Sequence, residues 1–310
     1  MYAIAVCLNP ARDMVVSVKG GFEPGKTNRA DSVVYSAGGK GINVARALKN
    51  TGAECVVVGF AGGATGEYIR EALYKEKIEF LFVKTGAETR TNIKILNEDC
   101  LNNEYTEINS PGGPVTAEET EALVEKVWKT ASQMCENREK SEEGYLVLSG
   151  SSPQGVDKLV YNSIIGRVRE LDLKVICDCD GILLKNVMKA SPYLIKPNET
   201  ELSSLVGENF STIETACEKC DELSSQTGIN ILLSLGARGA YYSSGGKGVF
   251  SPAAEIPKCN PNGAGDTLLA AFLSGLSKIP EKNGTNIWYR AVSEELENAQ
   301  SYVRKTLLSR

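Results

Sequence analysis

Histidine is absent from this 310-residue chain. That absence removes Ser-His-Asp and Cys-His catalysis, HExxH zinc sites and every acid/base step that uses imidazole. Chemistry here must run on carboxylates, Lys, Arg, backbone amides and any metal that arrives with a substrate. No apolar run approaches the ~18 residues that a membrane-spanning helix needs. Nor is there a basic excess: 34 Lys+Arg stand against 39 Asp+Glu, a net charge of −5. The chain therefore offers no global basic surface to nucleic acid, and an anionic ligand must be held by local groups. The opening MYAIAVCLNPARD lacks a charged start and a small-residue cleavage site, so it is expected to be a strand and not a signal peptide. These absences favour a cytoplasmic protein without membrane or nucleic-acid partners.

The nine cysteines are odd in number and scattered. A chain this long builds a sufficient core without disulfide staples, so they read as reduced, mostly buried thiols. Cys177 and Cys179, and the CEKC of Cys217 and Cys220, invite a metal reading, but no second CxxC stands at ribbon spacing. The stretch 20–27, GGFEPGKT, satisfies the Walker A expression. That loop works by leading into a helix whose amides cradle phosphate, and here NRADSVVYSAGG follows without helical periodicity. The nucleotide-loop reading is refused in favour of a hairpin.

What the chain does contain is alternation. Short runs rich in β-branched residues recur at 3–8, 55–60, 145–149, 174–178, 193–196 and 230–234. Amphipathic segments lie between or after them, at 43–50, 67–75, 116–134, 158–170, 200–206 and 212–226. This pattern predicts an α/β fold with a mostly parallel sheet and helices on both faces. Ligands then gather at the carboxyl ends of the strands. Residues 14–35 and 91–108 break the alternation with strand patterns and no helix, which predicts a small separate sheet. Residues 136–144, ENREKSEEG, read as a charged surface connector, and no repeat or low-complexity segment is evident.

Several glycine-rich segments carry phosphate chemistry. Asn262-Gly-Ala-Gly-Asp266 runs into an apolar helix, whose free N–H groups and positive dipole end make an anion site. Asp266 falls in the first turn of that helix, where it serves either as a capping residue or as a base beside an anion hole. Ala37-Gly38-Gly39-Lys40-Gly-Ile-Asn43 is a second loop entering a helix. Lys196-Pro-Asn198-Glu199-Thr-Glu201 offers an ammonium, an amide and carboxylates suited to polyphosphate and hydrated Mg²⁺. Ser234-Leu-Gly236-Ala-Arg-Gly239 closes another strand, and Asp13 follows the first one. No GxGxxG answers the first strand, which sets a dinucleotide dehydrogenase aside.

With AGGKGINVA, TRTNIKI, TEIN, SGSSP, KPNETEL, SLGARGA and GAGD in order, the chain resembles the phosphofructokinase-B family of carbohydrate kinases, within the ribokinase-like superfamily. It is closest to the 1-phosphofructokinase and tagatose-6-phosphate kinase branches. The resemblance implies one three-layer domain over residues 1–310, with a β lid inserted near 12–36 and 88–110 that forms a homodimer contact. It implies ATP and Mg²⁺ as cofactors and a phosphorylated ketohexose as substrate, with phosphoryl transfer to O6 of fructose 1-phosphate as the reaction. Asp266 would be the base, with the amides of Gly263, Ala264 and Gly265 as the anion hole. Asp13, Gly38, Gly39 and Asn43 would hold the sugar. Lys40, Arg90 and, more weakly, Ser151 would meet the phosphate already on it, unless Arg90 serves only a lid ion pair. Lys196, Asn198, Ser234, Gly236 and Gly239 would serve the nucleotide. Asn198 and Glu201 would position Mg²⁺ largely through water, and Glu199 reads as a solvent-facing helix residue.

Three features depart from the family's usual pattern: Asn262 before GAGD, Asp180 where Ser is usual, and a polar C-terminal helix over 291–308 at the expected adenine contacts. The competing readings are a superfamily kinase acting on an unphosphorylated sugar, which Lys40 and Arg90 oppose, and a non-catalytic sugar-phosphate-binding regulator, which Asp266 opposes.

Overall fold

The computed structural model describes residues 1–97, 105–139, 142–254, 263–279 and 286–308. Its first strand sets the layering. β1 (Tyr2–Cys7) is buried at every position, with Ile4 and Val6 in one apolar layer and Ala3, Ala5 and Cys7 on the other side. A strand covered on both faces reads as a continuous apolar run and needs helices above and below it.

β2 (Ala11–Val18) and β3 (Ser32–Gly38) then leave that sheet as an antiparallel pair. The chain returns through α1 (Lys40–Asn50), β4 (Glu54–Ala61), α2 (Gly63–Lys75) and β5 (Glu79–Lys84). It leaves again through β6 (Arg90–Asn97) and β7 (Tyr105–Ile108). Next come α3 (Ala117–Asn137), β8 (Gly144–Ser149), α4 (Val160–Val168), β9 (Lys174–Asp178) and α5 (Gly181–Val187). β10 (Leu194–Ile195), α6 (Glu199–Val206), α7 (Ile213–Thr227) and β11 (Asn230–Ser234) follow. The hairpin β12 (Ala240–Ser244) and β13 (Lys247–Ser251), then α8 (Ala264–Leu276) and α9 (Asn286–Leu308), complete the described chain.

The large sheet has the order β13-β12-β11-β10-β9-β8-β1-β4-β5, parallel except at the β12–β13 edge. The second sheet has the order β3-β2-β6-β7, and both helix-free stretches fold into it. Its β2–β6 pair is parallel and sets Asp13 beside Asn92. The refused stretch 20–27 lies in the turn region between β2 and β3, mostly exposed, with no helix after it.

Three features escaped the alternation, the short α5 among them. β5 is an edge strand with mixed burial, so its pattern is weak. The β12–β13 hairpin turns on Gly245 and Gly246, both at positive φ, a turn signal that marks antiparallel pairing. α1 begins at Lys40, ahead of the expected residue 43, because Gly41, which blurs its periodicity, is itself helical. The connector at 136–144 is shorter than expected, since α3 runs on to Asn137; residues 140–141 of it lie outside the described residues. The thiols of Cys7, Cys55, Cys135, Cys177, Cys179, Cys217 and Cys220 are free, and burial pushes Cys7 up to about 11. Cys100 and Cys259 lie outside the described residues.

α3 opens on a capping box: Glu119 N–H donates to the Thr116 hydroxyl at 3.1 Å, and Thr116 N–H donates to Glu119 at 2.8 Å. Thr116→Ala is expected to cost about 1 kcal/mol, read as a Tm fall of about 2–4 °C in thermal unfolding.

Candidate active site

The carboxyl ends of β9, β10 and β11, the starts of α1 and α8, and one face of the second sheet converge on a cavity of about 430 Å³. Asp13, Gly39, Lys40, Asn43 and Arg90 reach it from the first half of the chain. Lys196, Asn198, Glu201, Ser234 and the turn Gly263–Asp266 reach it from the second. A larger cavity, about 610 Å³, lies by Tyr2, Glu54 and Arg138 near the amino ends of β1 and β4. It gathers none of the candidate residues, and ligands of parallel sheets bind at the other end.

Gly263 starts α8 with φ 72°, a left-handed turn that favours glycine. Among the described residues no side chain caps this helix, and the first intrahelical bond of that turn runs from Thr267 N–H to the Gly263 carbonyl at 2.9 Å. The amides of Ala264, Gly265 and Asp266 therefore have no acceptor within the helix and present donors at its positive end. The Lys196 ammonium stands close by, 3.5 Å from where a Cβ on Gly265 would lie. Asp266 is 7% exposed and accepts from Asn43 Nδ2 at 3.0 Å. Burial, reinforced by the nearby Asp178 carboxylate, pushes its pKa up to about 6; Lys196, Asn43 and Lys40 pull the other way.

Asp178 was not among the candidates, yet it organises the cations. Fully buried at the end of β9, its Oδ1 lies 3.3 Å from Lys40 Nζ and 3.2 Å from Lys196 Nζ. Burial alone would raise its pKa, but the two ammonium groups outweigh that and hold it below the ordinary carboxylate range. Lys40 Nζ also stands 3.8 Å from Glu201. Its neighbours Asp178, Glu201 and Asp266 overcome the burial that would discharge it and keep it firmly protonated. The sign of the missed signal is plain in VICD: a charge at the carboxyl end of a buried strand points at the ligand face.

On the second sheet, Asn92 donates to Asp13 Oδ1 at 3.1 Å. Burial raises the Asp13 pKa in spite of Asn92, Arg90 and Lys94. Gly38 is required here, because any Cβ would run into the Asp13 carboxylate. Arg90 is half-buried and among the described residues makes no ion pair of the kind weighed from the sequence; it donates to the carbonyls of Ser110 at 3.0 Å and Asn9 at 2.9 Å. Lys94 lines the same wall, 2.7 Å from Glu107 and 4.3 Å over the Tyr105 ring.

The chain matches the description pfkB family carbohydrate kinase over residues 6–293. It belongs to the pfkB family of carbohydrate kinases. A 1-phosphofructokinase of Bacillus subtilis is 32% identical over 276 residues, which cover 88% of this chain and 85% of that one. A tagatose-6-phosphate kinase of Staphylococcus epidermidis is 32% identical over 279 residues, 88% of this chain and 84% of that one. Among solved structures, the Escherichia coli phosphofructokinase-2 in complex with substrates and products matches with a TM-score of 0.82, covering 100% of both chains at 24% identity. That last likeness bears on the fold.

Not every candidate of this pfkB chain lines the cavity. Ser151 sits apart, accepting from Asn9 Nδ2 at 3.3 Å. Gly236 forms the short turn after β11, and Gly239 is packed so tightly on the Ser251 carbonyl that no side chain fits. Asn198 and Glu201 form a second capping box, each accepting the other's N–H at 2.8 Å, so one oxygen of each is already engaged. Glu199 pairs with Arg238. Asp180 is exposed at the start of α5; Asn262 lies outside the described residues. Most of the polar run of α9 faces outward, while Trp288, Val292, Leu296, Ala299 and Val303, with the polar Gln300, form its buried stripe.

A buried carboxylate titrating near 6 beside helix amides and two ammonium groups is equipped to take a hydroxyl proton while anionic charge is held nearby. Asp266→Asn is expected to lower kcat by about 10³-fold or more, and wild-type kcat/KM to rise with pH through about 6. The folded state binds this proton more tightly than the unfolded chain does, so ionisation costs stability as pH rises from about 4 to about 6. The Tm gain of Asp266→Asn is accordingly expected at pH 8 and to vanish near pH 4.

Proposed function

We propose that this kinase transfers the γ-phosphoryl group of ATP to O6 of fructose 1-phosphate, giving fructose 1,6-bisphosphate and ADP. One observation carries the reading: Asp266, at the amide-rich start of α8, faces a single cavity that also holds Lys40, Lys196, Arg90 and Lys94. Asp266 takes the O6 proton. The amides of Ala264 and Gly265, at the Gly263 turn, carry the phosphoryl group's charge with Lys196. Lys40 stands with Asp178 and Glu201 on the Lys196 side, so we assign it to the phosphoryl group in flight as much as to the sugar's own phosphate. Asp13, held by Asn92, grips sugar hydroxyls beside Gly38 and Gly39. Arg90 and Lys94 supply positive charge for the phosphate already present; Ser151 stands behind that end, outside the cavity lining, bonded to Asn9, whose carbonyl accepts from Arg90.

For Mg²⁺, the residues present fit an indirect role. Glu201 Oε2 is spent on the capping box, leaving Oε1 3.8 Å from Lys40. One free carboxylate oxygen suits a cation that takes most of its ligands from phosphate and water. When bound there, Mg²⁺ would neutralise phosphate charge. The turn after β11, Ser234 to Gly239, lies on the nucleotide side.

The second sheet exposes Val33, Val34, Tyr35 and Ile108, a surface suited to a second copy, and we read it as a homodimer contact. Among the described residues no helix is long and apolar enough to cross a membrane. The free thiols and a phosphorylated substrate fit a cytoplasmic setting.

The likeness to a tagatose-6-phosphate kinase keeps a second substrate in view. MgATP-dependent ADP release, compared across fructose 1-phosphate, fructose 6-phosphate, tagatose 6-phosphate and free sugars, separates the readings. Preference for fructose 1-phosphate is expected; preference for a 6-phosphate replaces the substrate, and silence on all of them removes the kinase reading. Arg90→Ala is expected to raise KM for the sugar phosphate about tenfold or more, the worth of one charge-assisted hydrogen bond, with a smaller change for ATP. Equal changes for both would move Arg90 out of the acceptor end.

A further inference from the structure

Behind Asp266 a line of hydrogen bonds runs to the surface of the chain. Glu76, which ends α2, accepts from Arg46 Nε at 2.7 Å and from Nη2 at 3.0 Å. Arg46 lies on α1, and its Nη2 also donates at 3.0 Å to the carbonyl of Ala37, just before Gly38 and Gly39. Nη1 donates to Asn43 Oδ1 at 3.1 Å, and Asn43 Nδ2 donates to Asp266 Oδ2 at 3.0 Å. One guanidinium thus ties the end of α2, the glycine turn and the amide that touches Asp266.

Donor and acceptor types leave one arrangement. A guanidinium has only donors and an ionised carboxylate only acceptors. The amide between them must turn its oxygen to Arg46 and its NH₂ to Asp266. Reversed, it would set two donors face to face at one end and two acceptors at the other. Glu76 and Ala37 fix the fork in its plane, which a lysine's single ammonium does not reproduce.

We propose that Arg46 is a positioning residue for phosphoryl transfer: it locks the Asn43 amide as a donor toward Asp266 and so holds the base in place and in its accepting form. The inference rests on the reading of Asp266 as the base. Without the lock, the amide is free to rotate and offer its oxygen, a contact that is favourable only when Asp266 carries a proton. The other groups around Asp266 are Asp178 from β9, Lys196 after β10 and Lys40 from α1. α9 contributes Tyr302 and Thr306 to a small cavity beside Asn43 and Gly263. Among the hydrogen bonds of the described residues, Asn43 Oδ1 accepts from Arg46.

The test is the pH dependence of kcat with MgATP and fructose 1-phosphate in Arg46→Lys and Arg46→Ala. Loss of the lock is expected to lower kcat at pH 7 about five- to thirtyfold and to move the acid limb upward by about 0.5–1 pH unit. KM for MgATP is expected to change less than about twofold. Lys49→Ala is the control: Lys49 ties the same helix ends through the carbonyls of Glu76 and Lys77 and does not bond Asn43. It is expected to lower Tm and leave the acid limb in place. Arg46→Lys keeps the charge and the fold if Arg46→Ala loses its stability. A wild-type limb in Arg46→Lys would reduce Arg46 to a tie between helices and overturn the proposal. Asp266→Asn separates the two levels. If it is inactive while the Arg46→Lys limb stays put, only this proposal fails; if it turns over normally, the base assignment fails and takes the proposal with it.

Discussion

A carboxylate removed from water between two ammonium groups governs the functional end of this protein. Asp178 has no exposure, and both Lys40 and Lys196 meet its Oδ1. Its other oxygen, Oδ2, is buried without a hydrogen-bond partner among the described residues. Taking charges out of water is costly, and it is tolerated only where opposite charge is close and well placed. Each lysine is thereby fixed where phosphate charge would pass. The same carboxylate helps burial to hold Asp266 near pH 6. One buried group therefore sets both the cations and the base.

The sheet makes that possible. β1 pairs with β4 and β8 in parallel register, and β8 with β9, so these strand ends open onto one edge. Parallel strands require crossovers, and the crossovers put helix starts at that edge. Lys40 stands in the first turn of such a helix, α1, whereas Asp266 stands in the first turn of α8, which comes after the β12–β13 hairpin and precedes α9. The acceptor side is built differently. Asp13, Asn92, Arg90 and Lys94 belong to β2 and β6 of the smaller sheet, whose pairing does not pass through the large one. The nucleotide-side charges and the acceptor-side charges thus sit on separately hydrogen-bonded frames that meet across the cavity.

What could be read from the sequence follows this division. A glycine turn entering a helix is local, so GAGD, GGKG and KPNE announced their places without any knowledge of the fold. Both helix-free stretches likewise betrayed the second sheet. Asp178, Asn92 and Arg46 stayed hidden for a common reason. Their partners lie at Lys40 and Lys196, at Asp13, and at Glu76 and Asn43, and most of those pairings exist only once strand order and register are set. The KPNE segment was legible only in part. Its capping-box geometry was implicit in Asn198 and Glu201 at helix-start spacing, and the box leaves fewer oxygens for a cation than the motif suggests. The polar wording of α9 hid a regular buried stripe, because helical period and not composition decides which side faces in.

The buried charges are also mutually dependent. Removing either lysine leaves Asp178 with half its compensation, and removing Asp178 leaves two ammonium groups crowded beside Asp266. Breaking a buried pair costs more than the pair itself contributes, because the survivor stays desolvated and unpaired. Effects within such a network do not add. Asp13 with Asn92, and Asp266 with Asn43 and Arg46, repeat the pattern: a carboxylate kept from water, an amide that donates to it, and for Asp266 a cation fixing that amide. An amide between the charges serves a purpose that a direct ion pair would defeat. Arg46 placed straight on Asp266 would drive its pKa down and weaken it as a base, whereas an interposed Asn43 orients the carboxylate and leaves most of the effect of burial in force. The geometry keeps full positive charge for the phosphates and gives the proton acceptor only a dipole.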